Sequence, residues 1–353
     1  MLLVLKSSEA QSSELDKLLA AQQTPGDSHF HHWLTPAAFA DRFSPSAAQT
    51  GQVAAWLRAQ GMKVAPTPAG RGWIEFSGTV ARVQRAFGTT VVSTVPAQDG
   101  KIRYQLIGKV RLPESVASVA VGLASLDGVL SEPASTNPVS LSSSLKSLAA
   151  QTSLANAEAL TPGLADGVLQ LSAVRAEGTT GTGETIAIPS RSDLRPGDFT
   201  AFRQTFGLPS SELAVQFSGP NPGRAEDEAE VLQAASWAGV AAPGARILVL
   251  AAASTNATDG IDLALAKIVD GNLAHTVSVS YTSCEAHLSP AHQSLYAALY
   301  RQAAAQGIAV IAAAGDSGAA ACHSSADAAP VQTGYGVNAL AATPWNLAVG
   351  TVA

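Results

Sequence analysis

In the first 128 residues the apolar positions fall into short runs, some with a helical period and some alternating along a strand. Residues 2–6 read as one apolar strand. Ser12-Ser13-Glu14 predicts the start of a helix reaching about residue 23, with Leu15, Leu18 and Leu19 along one face. Thr35-Pro36 predicts a second helix, with Thr35 as N-cap and Pro36 in the first turn. A third is expected over 46–60, stopped by Gly61. Residues 62–66 and 73–77 read as strands joined through Gly70 and Gly72, and 80–87 as a helix ended by Gly88. Residues 89–95 and 102–107 read as a hairpin around Asp99-Gly100. The order β-α-β-β-α-β predicts an α+β unit over 1–128, a split βαβ sandwich with helical insertions.

The pattern then breaks. Residues 131–144 are rich in Ser, Pro, Thr and Asn with little apolar periodicity, so 129–158 is expected to be an exposed linker. From about 159 onward short apolar strands alternate with amphipathic helices. Strands are expected at 184–189, 246–251, 275–280, 308–313 and 346–352, and helices at 198–206, 226–239, 260–270 and 290–306. Such alternation predicts a parallel sheet covered on both faces over 159–353. No internal repeat is visible.

Composition narrows the function classes. Of 353 residues, 27 are Asp or Glu and 21 are Lys or Arg, a net charge of −6 without any basic run. That argues against nucleic-acid binding. No apolar run approaches the roughly 18–20 residues of a membrane span. Only 14% of residues are charged while 46% are apolar, against about 25% charged in ordinary domains. Few charges suit a protein that works at low pH, because protonating its carboxylates then builds up little self-repulsion. An Ala-rich, high-GC composition explains the same figure. Residues 1–6 are too short for the apolar region of a signal peptide.

Candidate chemistry is unevenly distributed. Gly178-x-x-Gly181-x-Gly183 precedes a strand instead of following one, and reads as a loop. His29, His31 and His32 lie near Asp27 without metal-ligand spacing, so a surface or packing role is expected. Glu226, Asp227, Glu228 and Glu230 make an acidic helix start that the helix dipole alone explains. Cys284 and Cys322 could be buried thiols, one disulfide or part of a metal site. The most informative stretch is Gly315-Asp316-Ser317-Gly318, an acid in a glycine-flanked turn just past a buried strand. Open α/β sheets build their sites at that end of their strands. Asp316 there could bind a metal, act as a base, or donate a hydrogen bond if protonated; turn chemistry alone would also place it.

Taken together these segments resemble the sedolisins, or serine-carboxyl peptidases, with a pro-kumamolisin activation domain. In the first unit the resemblance rests on His32-Trp33-Leu34-Thr35-Pro36, Phe39-Ala40-Asp41-Arg42-Phe43, residues 53–61, 73–79 and 83–88, and Leu112-Pro113. Further on it rests on residues 181–188, Phe206-Gly207-Leu208-Pro209, Trp237-Ala238-Gly239, Ala242-Pro243-Gly244-Ala245, Ser278-Val279-Ser280-Tyr281 and residues 315–318.

The resemblance implies a zymogen. Residues 1–128 would be a ferredoxin-like activation domain packed on its own peptidase domain, 129–158 a linker with the processing site, and 159–353 the N-terminal half of a subtilisin-like α/β domain. It implies protein or peptide substrates, neither nucleic acid nor membrane as partner, and a secreted protein. It also implies a Ser-Glu-Asp triad and an oxyanion-stabilising Asp, which suit acid turnover. Aligned on Trp237-Ala238-Gly239, the general base is Glu230 and the oxyanion Asp is Asp316, but the orienting Asp position holds Ala234. The nucleophilic Ser and the calcium ligands have no counterpart, so the chain is expected to be truncated before them and inactive alone. Cys284 and Cys322 match positions that form a disulfide in related members. The alternatives are a pseudoenzyme that binds peptides or inhibits an active relative, which Ala234 favours, and a gene fragment without independent function.

Overall fold

The computed structural model describes residues 1–95, 101–134, 160–316 and 335–350. In the first unit the elements are β1 (Leu2–Leu5), α1 (Glu9–Gln22), α2 (Pro36–Phe43), α3 (Ala47–Ala59), β2 (Lys63–Val64), β3 (Trp73–Ser77), α4 (Val80–Phe87), β4 (Thr90–Thr94), β5 (Arg103–Ile107), α5 (Glu114–Ala117) and β6 (Ala120–Leu123). The helix starts follow local capping chemistry. Thr35 Oγ accepts from Ala38 N–H ahead of Pro36, as expected. Helix α1 begins three residues before the expected start, because Ser8 and Gln11 form a capping box.

Strands β2, β3, β1 and β6 form one sheet in that order, each antiparallel to its neighbour. The expected hairpin exists, but among the described residues β4 and β5 form a separate two-stranded sheet, with one isolated bridge from Gln105 to Asp127. The fourth strand of the main sheet is β6, absent from the sequence reading because only four residues, Ala120-Val121-Gly122-Leu123, carry it. Strand β1 is buried at all four positions. Leu3 and Leu5 pack with Leu57, Phe76 and Phe87 under α3 and α4, whereas Leu2 and Val4 face the second unit. Both faces of this sheet are therefore covered.

Within the span expected to be an exposed linker, Val129 is exposed. Ser131 is buried, and β7 (Glu132–Pro133) pairs antiparallel with β12 (Tyr281–Thr282) of the second unit. Residues 135–158, where processing is expected, lie outside the described residues.

The second unit comprises α6 (Pro162–Leu169), α7 (Leu171–Ala176), β8 (Thr185–Ser190), α8 (Pro196–Thr205), β9 (Leu213–Phe217), α9 (Glu228–Ala241), β10 (Arg246–Ala251), α10 (Gly260–Asp270), β11 (Thr276–Val279), β12, α11 (Pro290–Ala305), β13 (Ala309–Ala313) and β14 (Leu347–Val349). Strands β14, β13, β11, β8, β10 and β9 make a six-stranded sheet in that order, parallel throughout. Alternation along β10 feeds two cores. Ile247 and Val249 pack with Phe199, Val231 and Ala235 from α8 and α9, while Leu248 and Leu250 pack with Leu265 and Leu299 from α10 and α11.

The two units share that second core. Leu2, Val4 and Trp73 of the first sheet, with Ala124 just after β6, join Ile261, Leu265, Leu295 and Leu299 of α10 and α11. Gly122 lets the backbones close, since a Cβ there would stand 3.2 Å from that of Ala291. Polar contacts fix the register of docking. Asp270 accepts from the N–H of Ala69 at 2.9 Å and of Gly70 at 2.6 Å, and Ala305 O accepts from Leu34 N–H at 2.9 Å. Arg301 donates to Ser12 O at 2.9 Å and pairs with Asp16.

Candidate functional site

The carboxyl ends of β8, β10 and β11 converge on a buried polar network. Arg191 follows β8 directly, Asp227 precedes α9, Asp259 caps α10, and Tyr281 follows β11. Arg191 Nε donates to Asp227 Oδ2 at 2.7 Å, and its Nη1 stands 3.9 Å from Asp259 Oδ2. The guanidinium lies 5.2 Å from the centre of the Tyr281 ring, and Tyr281 Oη donates to Asp227 Oδ2 at 3.1 Å. Burial works against the charge on Arg191, but Asp259 and Asp227 more than offset it, so the guanidinium stays protonated. Burial and the Asp227 charge push the Tyr281 hydroxyl far up, so it is a permanent donor.

Glu230 lies in the first turn of α9 and is buried. Ala234, a further turn along, packs against the apolar cluster of Ile188, Phe199 and Val231. The place expected to hold an orienting carboxylate is thus lined by hydrocarbon. Asp316 is exposed and follows β13 through Ala314 and Gly315. Gly315, at φ +104°, lies against β12, where a Cβ would stand 3.2 Å from the Thr282 methyl. Asn338 ties these ends together, donating to Ala313 O at 2.7 Å and Tyr281 O at 3.1 Å while accepting from Ser283 N–H at 2.8 Å. The fold therefore sets Glu230, at the start of α9, and Asp316, after β13, at the carboxyl end of one sheet.

Of the four acids at the start of α9, Glu226 is exposed and Glu228 accepts from Arg195 N–H at 3.2 Å. Asp227 engages Arg191 and Tyr281, so the helix dipole is not its whole account. The histidines are not assembled as ligands: His29 pairs with Asp27 at 3.1 Å, and His31 stacks between Phe30 and Trp33. Residues 178–184 form the loop before β8, as expected for the glycine run. Cys284 is buried, and Cys322 lies outside the described residues. Among the described residues no group of three or more His, Cys, Asp or Glu side chains could hold a metal.

The sequence did not single out Arg191 or Asp259, and Tyr281 entered only as part of the stretch Ser278-Val279-Ser280-Tyr281. Arg191 carried a usable signal, an arginine directly following the strand that runs into Ile186-Ala187-Ile188. It also missed a second buried cluster, where the units meet. His292 on α11 lies between Asp127 of the first unit, 2.6 Å from Nδ1, and Asp262 of α10, 3.0 Å from Nε2. Tyr296 Oη donates to Asp262 at 2.8 Å. Burial alone would lower the His292 pKa, but Asp262 and Asp127 raise it to about 10. Burial raises the Asp262 carboxyl, with the imidazole opposing.

Residues 1–127 match the family model described as pro-kumamolisin, activation domain. Among solved structures, the chain is similar to Pseudomonas sedolisin (serine-carboxyl proteinase) complexed with two molecules of pseudo-iodotyrostatin. The two are 24% identical with a TM-score of 0.40, over 48% of this chain and 48% of that one. No curated protein matches the chain. The family resemblance thus rests on the first unit, residues 1–127, which is similar to pro-kumamolisin activation domains.

Proposed function

We propose that the chain is a precursor portion of an acid-acting serine-carboxyl endopeptidase, with residues 1–128 as a ferredoxin-like activation domain. The strand order β2-β3-β1-β6 supports that fold for the first unit. The observation that carries the reading is the antiparallel pairing of Glu132–Pro133 with Tyr281–Thr282. The chain leaving the activation domain lies along an edge strand at the carboxyl end of the parallel sheet, as a peptide substrate would. In this reading residues 135–158 carry the processing site and the protein is secreted. Cys284 and Cys322 pair.

Glu230 acts as general base on a serine hydroxyl, and Asp316, when protonated, donates to the oxyanion. A carboxylate base and a carboxylic acid donor are both in their working states only at low pH. No residue of this chain is assigned as the nucleophile. A peptide-binding protein without peptidase activity is the second reading, and it rests on Ala234.

Casein digestion at about pH 4 separates the two. The 353-residue chain should show no hydrolysis, whereas a longer product of the same gene should digest casein and lose at least about 100-fold on Glu230→Ala or Asp316→Ala. Activity that survives both replacements overturns the residue assignment. A longer product without activity favours the second reading.

A further inference from the structure

Ser131 stands where the chain leaves the first unit, and it is 4% exposed. Its N–H and its hydroxyl both donate to Asp259 Oδ2, each at 2.6 Å. Beyond it Glu132–Pro133 pairs with β12, and Ala134 N–H donates to Ser280 O at 2.9 Å. The segment is thus an extended strand held between the loop after β10 and the edge of β12. Backbone pairing with β12 would accept almost any peptide. The contact with Asp259 would not.

Asp259 is positioned independently of the segment. Its Oδ1 accepts from Ile261 N–H at 3.0 Å and from Ser254 Oγ at 3.4 Å, and Arg191 flanks Oδ2 at 3.9 Å. The other oxygen is presented, buried and preorganised, to whatever residue occupies the place of Ser131. Both Ser131 donors reach one oxygen, and they lie on neighbouring parts of one residue, the amide and the Cβ substituent. A hydroxyl on Cβ meets that geometry, so Ser and Thr qualify. Ala and Val leave a desolvated carboxylate short of a hydrogen bond, while Lys and Arg carry their donors past it. Asp and Glu meet a like charge.

We propose that Asp259 is the specificity determinant of a peptide subsite that selects serine or threonine in an extended peptide, with Ser131 as its occupant in this chain. This rests on the reading of the sheet end as a peptide-binding cleft.

Hydrogen exchange at the Ala134 amide of the full chain reports how firmly the segment is seated. Ser131→Thr should leave exchange within about threefold, while Ser131→Ala and Ser131→Val should speed it about 10- to 100-fold, the worth of a charge-assisted hydrogen bond. In an Asp259→Asn background, which keeps an acceptor for Ile261, the Ser–Ala difference should vanish. Equal protection with Val, or a Ser–Ala difference that persists in the Asp259→Asn background, overturns the proposal.

A second measurement works in trans. The acetylated amide of Ser-Glu-Pro-Ala, added to the full chain carrying Ser131→Val, should bind at least about tenfold tighter than Val-Glu-Pro-Ala, and equal binding also overturns it. Neither readout needs peptide hydrolysis. Selection by the chain together with an inactive longer gene product would therefore sink the proposed function alone, and an active longer product without selection would sink this subsite alone.

Discussion

Asp127 Oδ2 lies 2.6 Å from His292 Nδ1, and the two residues belong to different units. With Asp262 on the other side of the ring, two carboxylates flank one imidazole, and the surroundings exclude water. The His292 pKa is about 10 in the fold, against 6.5 for a free imidazole. A raised pKa contributes stability that is complete below 6.5 and is lost as pH rises towards 10. Denaturant unfolding of the whole chain should therefore lose on the order of 5 kcal/mol over that window. His292→Gln should flatten the loss. A fold that strengthens between pH 7 and 10 would contradict it.

Arg191 carries a different burden. Two buried carboxylates, Asp227 and Asp259, depend on it for compensation. Arg191→Met should cost about 3–5 kcal/mol at neutral pH, because a buried charge left without its partner is expensive. Adding Asp227→Asn should recover part of the loss. Urea titrations of the single and double variants measure both effects.

At the far edge of the interface, Asp270 accepts two backbone N–H groups from Ala69 and Gly70. Asp270→Ala should cost about 2–3 kcal/mol and open the turn before β3. Limited proteolysis within residues 65–72 should accelerate. Gly70→Ala should act in the same direction, since its Cβ would fall 2.5 Å from the Gln302 amide.

Ala234→Asp restores a carboxylate four residues from Glu230, but it places it against hydrocarbon. The new carboxyl should titrate above its usual range and cost about 2 kcal/mol at about pH 7. A raised carboxyl pKa favours the fold at low pH, so the penalty should shrink at about pH 4. Melting curves at the two pH values test the sign.

Long elements with a single dominant signal were legible in the sequence. Strand Arg246–Ala251 and helix Gly260–Asp270 coincide with their expected bounds, since an apolar run and a capped amphipathic run admit few alternatives. Short elements whose pairing is decided by distant residues were not. Strand β6 is four residues long, and its place beside β1 depends on packing against Ala291. Segment 131–134 has a loop's composition and becomes a strand only because β12 offers an edge and Asp259 a carboxylate. The sequence singled out Glu230 and Asp316, whereas Arg191, Asp259 and His292 draw their meaning from partners 36 to 165 residues away.

Helices α10 and α11 are walled in by two sheets, one from each unit, and α10 is buried at Ile261, Leu265, Ile268 and Val269. Half of that wall is laid down before either helix exists, because residues 1–127 leave the ribosome first. The early unit presents Leu2, Val4 and Trp73 as a waiting surface, and the later helices can bury their apolar sides as they emerge. Order of synthesis thus becomes part of how the second unit avoids exposing a greasy face.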